Sequence, residues 1–314
     1  TYGQEKHKIE HRFPAAIKYI ADNKLNEQFD GDVPEIGIIV QGGIYNTLLR
    51  ALHQFGLADI YGEARLPLFV LNVTYPLVPD ELIRFCAGRD AVLVVEEGQP
   101  DYIEQALHGI LRKADLNTKI LGKDVLPMAG EYTSEVMIRG LIEFFEQQGP
   151  ESLQLGPALG RMMALLDEKD DARASLGDDY PLRQPSFCTG CPERPIFSAI
   201  KILEKELGPA HVSADIGCHT FAALPPFKIG NTVMGYGLGL ASSAGLRPNF
   251  GKRVLSIMGD GGFWHNGMTS GVASAQANGN DAVLMVIQNG YTSATGWQLL
   301  PSSARDRHGR PRNM

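Results

Sequence analysis

The chain has 314 residues, 44% of them apolar and 21% charged, with a net charge of −7. That balance predicts a globular protein of about two domains and excludes a disordered chain or a small disulfide scaffold. It also excludes a generally basic nucleic-acid or membrane-surface binder. The longest apolar run, 282–287, is six residues, against the ~20 that a membrane helix needs. The start at Thr1 carries no leader pattern. Four cysteines in this length point to a reducing, cytoplasmic setting.

In chain order, residues 1–33 read as a polar lead-in and linker with one helix over 14–26. The run Ile36-Gly-Ile-Ile-Val40 predicts a strand, followed by Gln41-Gly42-Gly43 and a helix over 45–55. Leu68-Phe-Val-Leu71 and Ala91-Val-Leu-Val-Val95 predict two more strands, each followed by a helix, over 79–86 and 100–113. Short apolar runs alternating with helical segments indicate a parallel sheet covered on both faces. A first α/β domain is therefore placed at 34–125. Helices follow at 134–148 and 157–166. Residues 167–183 hold nine charged residues in seventeen, so 126–184 reads as a helical, charged connector.

A second α/β domain, 185–314, starts with a helix over 195–207 and a strand over 211–216. Eleven glycines lie between Gly217 and Gly267. A strand over 254–258 then runs into Gly259-Asp260-Gly261-Gly262, with a helix reaching about Ala277. A further strand, 282–287, runs into Gln288-Asn289-Gly290-Tyr291. Adjacent parallel strands would set Asp260 and Asn289 side by side at their C-terminal ends, where open α/β sheets bind ligands. Glycines let backbone approach a phosphate, and a helix N-terminus favours anions. From 254 to 304 there is no Lys or Arg. A carboxylate in such a setting is costly unless a cation meets it. One carboxylate, one amide oxygen, a carbonyl and phosphate oxygens would complete an octahedral Mg²⁺ shell.

Gly-Asp-Gly followed after 27 residues by Asn289 resembles the thiamine diphosphate motif. Further motifs narrow the resemblance. They are Cys188-Thr-Gly-Cys191-Pro192, Asp215-Ile-Gly-Cys218, Gly235-Tyr-Gly-Leu-Gly239, Phe263-Trp-His265-Asn-Gly267 and Tyr291-Thr-Ser-Ala-Thr295-Gly296-Trp-Gln298, in that order. The set is similar to the large subunit of indolepyruvate:ferredoxin oxidoreductases, within the 2-oxoacid:acceptor oxidoreductases. Gln41-Gly42-Gly43, Thr74-Tyr75-Pro76-Leu77-Val78-Pro79 and Val94-Val95-Glu96-Glu97-Gly98 resemble that family's transketolase-C-terminal-like domain.

The resemblance implies two three-layer parallel-sheet domains, the second a thiamine diphosphate fold. It implies an enzyme that decarboxylates aryl-2-oxoacids oxidatively, passes electrons to a ferredoxin-like acceptor and forms an acyl–coenzyme A. A smaller second subunit would be its partner. Cofactor contacts are expected from Gly217, Cys218, Met234, Gly235, Gly237, Gly259, Asp260, Gly261, Gly262, Asn289, Tyr291 and Thr292. Asp260, Asn289 and the Tyr291 carbonyl would hold Mg²⁺, and His219 and His265 are candidate acid/base groups. Cys188, Cys191 and Cys218 could ligate a [4Fe-4S] cluster with a fourth cysteine from elsewhere, or stand as reduced thiols lining the cleft. Family members are longer, with a pyrimidine-binding domain before this region, so the chain reads as part of a larger polypeptide. Two other readings stay open here: a non-redox thiamine diphosphate decarboxylase, and a non-catalytic assembly module.

Overall fold

Strands form where the sequence alternates apolar side chains between two faces. In a computed structural model that describes residues 1–177, 184–293 and 296–312, the chain divides near residue 180 into two units. In the first, β1 (Glu27–Phe29), β2 (Ile36–Gln41), β3 (Leu68–Leu71), β4 (Ala91–Val95) and β5 (Lys119–Leu121) make one sheet in the order β1-β3-β2-β4-β5. The pairs β3-β2-β4-β5 are parallel, and β1 runs antiparallel along the edge.

The two faces of this sheet feed two cores. Ile36, Ile38, Val40, Leu68, Val70, Ala91, Leu93 and Val95 enter one cluster; Ile39, Phe69, Leu71, Val92 and Val94 enter the other. This is the period-2 geometry of a strand, buried on both sides. The lead-in is helical as α1 (Tyr2–His7), a π-helical segment (Lys8–Arg12) and α2 (Phe13–Asp22). Helix α3 (Tyr45–Gln54) covers the first face with Leu48 and Leu52, whereas α4 (Pro79–Cys86) and α5 (Tyr102–Lys113) cover the second with Leu82, Phe85, Leu107 and Leu111.

Two expectations change here. The lead-in contributes β1, a three-residue edge strand too short to show a period. The 126–184 connector is not a separate element. Helix α6 (Ser134–Gln148) and helix α7 (Gly156–Leu176) close the first core with Met137, Leu141, Phe144, Phe145, Met162 and Leu166. The charges of 167–176 form the exposed C-terminal half of α7, ten residues beyond the predicted end. They are held by Glu135 of α6, which pairs with Arg139, Lys169 and Arg173. Residues 178–183 lie outside the described residues.

The second unit has the same parallel topology on a smaller scale. Helix α8 (Glu193–Leu207) leads to β6 (Val212–Ala214), β7 (Thr232–Val233), α9 (Gly239–Leu246) and β8 (Leu255–Gly259). Next come α10 (Asp260–Gly262), a π-helical segment (Phe263–Val272), α11 (Ala273–Ala277), β9 (Val283–Ile287) and the antiparallel pair β10 (Tyr291–Thr292) and β11 (Gln298–Leu299). The sheet order is β7-β6-β8-β9, all parallel. Val212 and Ile257 pack on one side with Phe197 and Ile200 of α8. On the other side, Ser213 Oγ donates to the Gly239 carbonyl of α9 at 2.9 Å, so small residues bring helix and sheet close. Both units are thus three-layer α/β folds. Among the described residues, no helix is long and apolar enough to cross a membrane.

Candidate functional site

In the second sheet, β6 pairs with β7 on one side and β8 on the other, so the connections leave β6 and β8 in opposite directions. The crevice at the C-terminal ends of such strands is where α/β sheets take ligands. Asp215 directly follows β6, Asp260 follows β8, and Asn289 lies two residues past β9, whose register places Ile287 beside Gly259. A cleft here is lined by Gly217, Cys218, His219, Gly259, Asp260, Gly261, Gly262, Asn289, Tyr291 and Thr292. Ten of the residues singled out in the sequence therefore converge.

Asp260 is only 3% exposed. Its Oδ2 accepts from Gly290 N at 2.9 Å and Ser302 Oγ at 3.2 Å, which lock it to the loop bearing Asn289. The Asn289 Oδ1 accepts from Tyr291 N at 3.2 Å, which fixes the amide in a local turn. No ion pair reaches Asp260 among the described residues. The Tyr236 hydroxyl reaches over Gly261, where an added Cβ would collide with it. Burial, partly offset by a hydrogen bond with Thr292, pushes the Tyr236 phenol above its ordinary value. A Cβ on Gly262 would collide with Asp215 Oδ2. A Cβ on Gly259, by contrast, would meet no protein atom within 4 Å.

Behind this wall, the Asp215 and His219 side chains are 0% and 2% exposed. His219 Nε2 lies 2.5 Å from Asp215 Oδ1 and 3.2 Å from the Asp215 carbonyl oxygen. Asp215 Oδ2 accepts from Gly237 N at 2.9 Å. Asp215 thus organises both His219 and the glycine loop.

Six singled-out residues lie outside the lining. His265 is exposed on the π-helical segment, its ring 5.1 Å from that of Tyr236, and Tyr236 rather than His265 lines the cleft. Met234 is 49% exposed, and its N–H is spent on the Ala214 carbonyl. Gly235 faces the Leu238 side chain. Gly237, at φ +78°, packs against the Gly262 carbonyl, where a Cβ would collide. Cys188 and Cys191 share a turn closed by Cys191 N donating to Cys188 O, and Cys191 joins the apolar cluster of α8. Cys218 instead sits in the cleft, its Sγ 3.7 Å from Ser293 Oγ. Among the described residues, no three His, Cys, Asp or Glu side chains gather as a metal group, so Cys188, Cys191 and Cys218 are not brought together as one. Thr295 lies outside the described residues.

Reading the sequence missed three contributors. Tyr236 is flagged only by its place between Gly235 and Gly237. Ser302 braces Asp260 from 42 residues away, and no local signal marks it. Glu193 also lines the cleft.

Comparison with known proteins agrees with this geometry. Residues 215–313 match the family described as thiamine pyrophosphate enzyme, C-terminal TPP binding domain. Proteins named indolepyruvate oxidoreductase subunit IorA are similar along most of the chain. The one from Methanothermobacter thermautotrophicus is 29% identical over 89% of this chain and 42% of its own length. That from Thermococcus kodakarensis is 29% identical over 88% and 41%, and that from Archaeoglobus fulgidus 28% over 91% and 42%. The chain therefore spans about two fifths of the length of these curated relatives. The strand-end carboxylate, the glycine wall and the two sheets thus accompany a match of 215–313 to the thiamine pyrophosphate-binding domain family and a similarity, along most of the chain, to proteins named IorA subunits of indolepyruvate oxidoreductases.

Proposed function

We propose that this chain supplies the diphosphate- and Mg²⁺-holding part of a thiamine diphosphate-dependent 2-oxoacid oxidoreductase. The observation that carries the reading is Asp260, a carboxylate 3% exposed with no cationic partner among the described residues, bonded to the loop that bears Asn289. Such a group is expensive to bury alone and is matched by a divalent cation. The donor set is all oxygen, as Mg²⁺ prefers: the Asp260 carboxylate, the Asn289 amide and the Tyr291 carbonyl. The open side of Gly259 and the start of α10 suit a diphosphate beside the ion.

When bound, the cofactor supplies the carbanion chemistry that lets a 2-oxoacid lose carbon dioxide. The chain's own residues orient and enclose. Ser302 and Gly290 N hold Asp260 in place, so the anchor costs no reorganisation on loading. Gly261 and Gly262 let Tyr236 and Asp215 close the floor of the cleft. His219, pinned by Asp215, is the titratable imidazole at this wall and a candidate for moving a proton.

The names of the relatives support an aryl-2-oxoacid such as indolepyruvate as substrate, and a further subunit, which completes the proposed assembly as a smaller partner. A ferredoxin-like electron acceptor and coenzyme A complete the proposed reaction. Calorimetry with thiamine diphosphate and Mg²⁺ on the intact oxidoreductase tests the assignment. Tight, Mg²⁺-dependent binding that Asp260→Ala abolishes supports it, and unchanged binding in that variant refutes it.

A further inference from the structure

One polar group in the cleft is used by none of these interactions. Glu193 opens the fifteen-residue helix α8, after Pro192, and turns its side chain into the lining beside Gly217, Cys218 and His219. Its Oε2 is buried and has no hydrogen-bond partner among the described residues. The neighbouring charges are engaged elsewhere. Arg194 donates to the Phe187 carbonyl, and His219 Nε2 is taken by Asp215. No ion pair reaches Glu193 among the described residues. Burial pushes its carboxyl above the ordinary value, with His219 pulling the other way.

A position at a helix start favours an acidic side chain but leaves the second oxygen to be explained. Buried polar atoms are normally paired, and an unpaired one at a functional cleft calls for a missing partner.

We propose that Glu193 is a ligand-contacting residue: its buried Oε2 takes a hydrogen bond from an N–H or O–H donor of the molecule held in this cleft, whether the cofactor or the oxoacid. The proposal rests on the reading of the cleft as a thiamine diphosphate site and adds a contact that the motif residues do not supply. A site that pairs a ligand N–H or O–H rejects an analogue lacking it far more strongly than an apolar wall does. Glu193 then contributes to selectivity as well as affinity.

The test uses the complete oxidoreductase with Glu193→Gln, which keeps an acceptor, and Glu193→Met, which keeps the volume and removes it. Three quantities are measured: the Kd for thiamine diphosphate at saturating Mg²⁺, the KM for indolepyruvate, and the thermal midpoint. Glu193→Met is expected to weaken one ligand about tenfold or more, with Glu193→Gln restoring it to within about threefold. A rise in cofactor Kd assigns the donor to the cofactor; a rise in KM alone assigns it to the oxoacid. Either result supports the proposal. Both variants within twofold of wild type for both ligands would overturn it, as would equal losses in Gln and Met accompanied by a lowered midpoint. Failure of the wild-type protein to bind thiamine diphosphate would instead overturn the cofactor reading, and the KM comparison would still judge Glu193.

Discussion

The two sheets place an acidic residue at the same topological point and treat it differently. In the first unit, Glu96 follows β4; in the second, Asp260 follows β8, which occupies the matching place in its sheet. Both are buried, at 5% and 3% exposure. Glu96 is spent inside its own unit. Its oxygens accept from Ile103 N at 3.0 Å and Glu104 N at 3.2 Å, capping α5, and Lys123 Nζ donates to its carbonyl. Asp260 has one backbone N–H and one hydroxyl, and no cation among the described residues. The supporting structure follows the same division. Strands β3 and β4 are buried at every residue, whereas β9 leaves Val283 and Val286 42% and 38% exposed. A strand-end carboxylate whose valences are met by its own helix is architecture. One left short of a counter-charge is where a ligand belongs.

Exchanging the two acids for alanine should separate these roles most sharply. Asp260→Ala should cost thiamine diphosphate binding at least a hundredfold in the presence of Mg²⁺, with little change in thermal midpoint. Glu96→Ala should leave cofactor affinity within a factor of two and destabilise the first unit by about 2 kcal/mol, because buried N–H groups of α5 lose a charged acceptor. Calorimetry and chemical denaturation on the same preparations check both. A Glu96 variant that loses cofactor while keeping its stability would erase the distinction.

The core of the first unit offers the next largest effect. Leu141 of α6 is fully buried in the cluster that also holds Leu48, Leu52 and one face of the sheet. Leu141→Ala should cost about 2–5 kcal/mol, measured as a shift in urea midpoint at constant slope. A loss below 1 kcal/mol would restore the view of 126–184 as a connector. That view arose because nine charges in seventeen residues dominate the composition there. The informative signal was positional: Ala158, Met162 and Leu166 recur every four residues along the buried stripe of α7.

Other parts of the molecule differ in how far local sequence could reveal them. The strands β3, β4 and β9 are legible because four or more consecutive apolar residues have no other soluble fate, and β2 and β8 because only Gly37 and Ser256 interrupt theirs. β1, β5 and β7 run for only two or three residues, too short for any period to show. Asp260 and Asn289 are legible because each ends a recognisable strand at a family spacing. Glu193 and Ser302 are not, since what marks them is the burial of one oxygen or a bond across 42 residues, which only tertiary packing creates. Gly237 carries a second demand that the motif does not reveal, since its backbone packs against the Gly262 carbonyl.

The glycines of the second unit sharpen the contrast on a smaller scale. Gly259→Ala places its methyl in open space, so it should leave the fold intact and weaken cofactor binding severalfold. Gly262→Ala drives a methyl into Asp215 Oδ2 and should unsettle the fold before any ligand is added. Thermal melts without ligand, followed by titration, distinguish the two; equal melting of both variants would mean the wall relaxes freely.

The smallest effect lies at Glu135, where three cations hold the carboxyl down to about 2. The hydrogen bonds from Arg173 and Lys169 lead this shift. A folded value below the ordinary carboxylate value means that the unfolded chain takes up the proton first as pH falls. The stabilisation is therefore complete above about pH 4.5 and drains away toward pH 2. The partner side chains are 45–57% exposed, so solvent screens the network to at most about 1 kcal/mol. Glu135→Gln should melt a few degrees below wild type at pH 7 in low salt, and the gap should narrow in 1 M salt and close by about pH 2. A gap that widens on acidification would show that the carboxyl contributes through burial rather than through its charges, and α6 and α7 would then be joined by their apolar stripe alone.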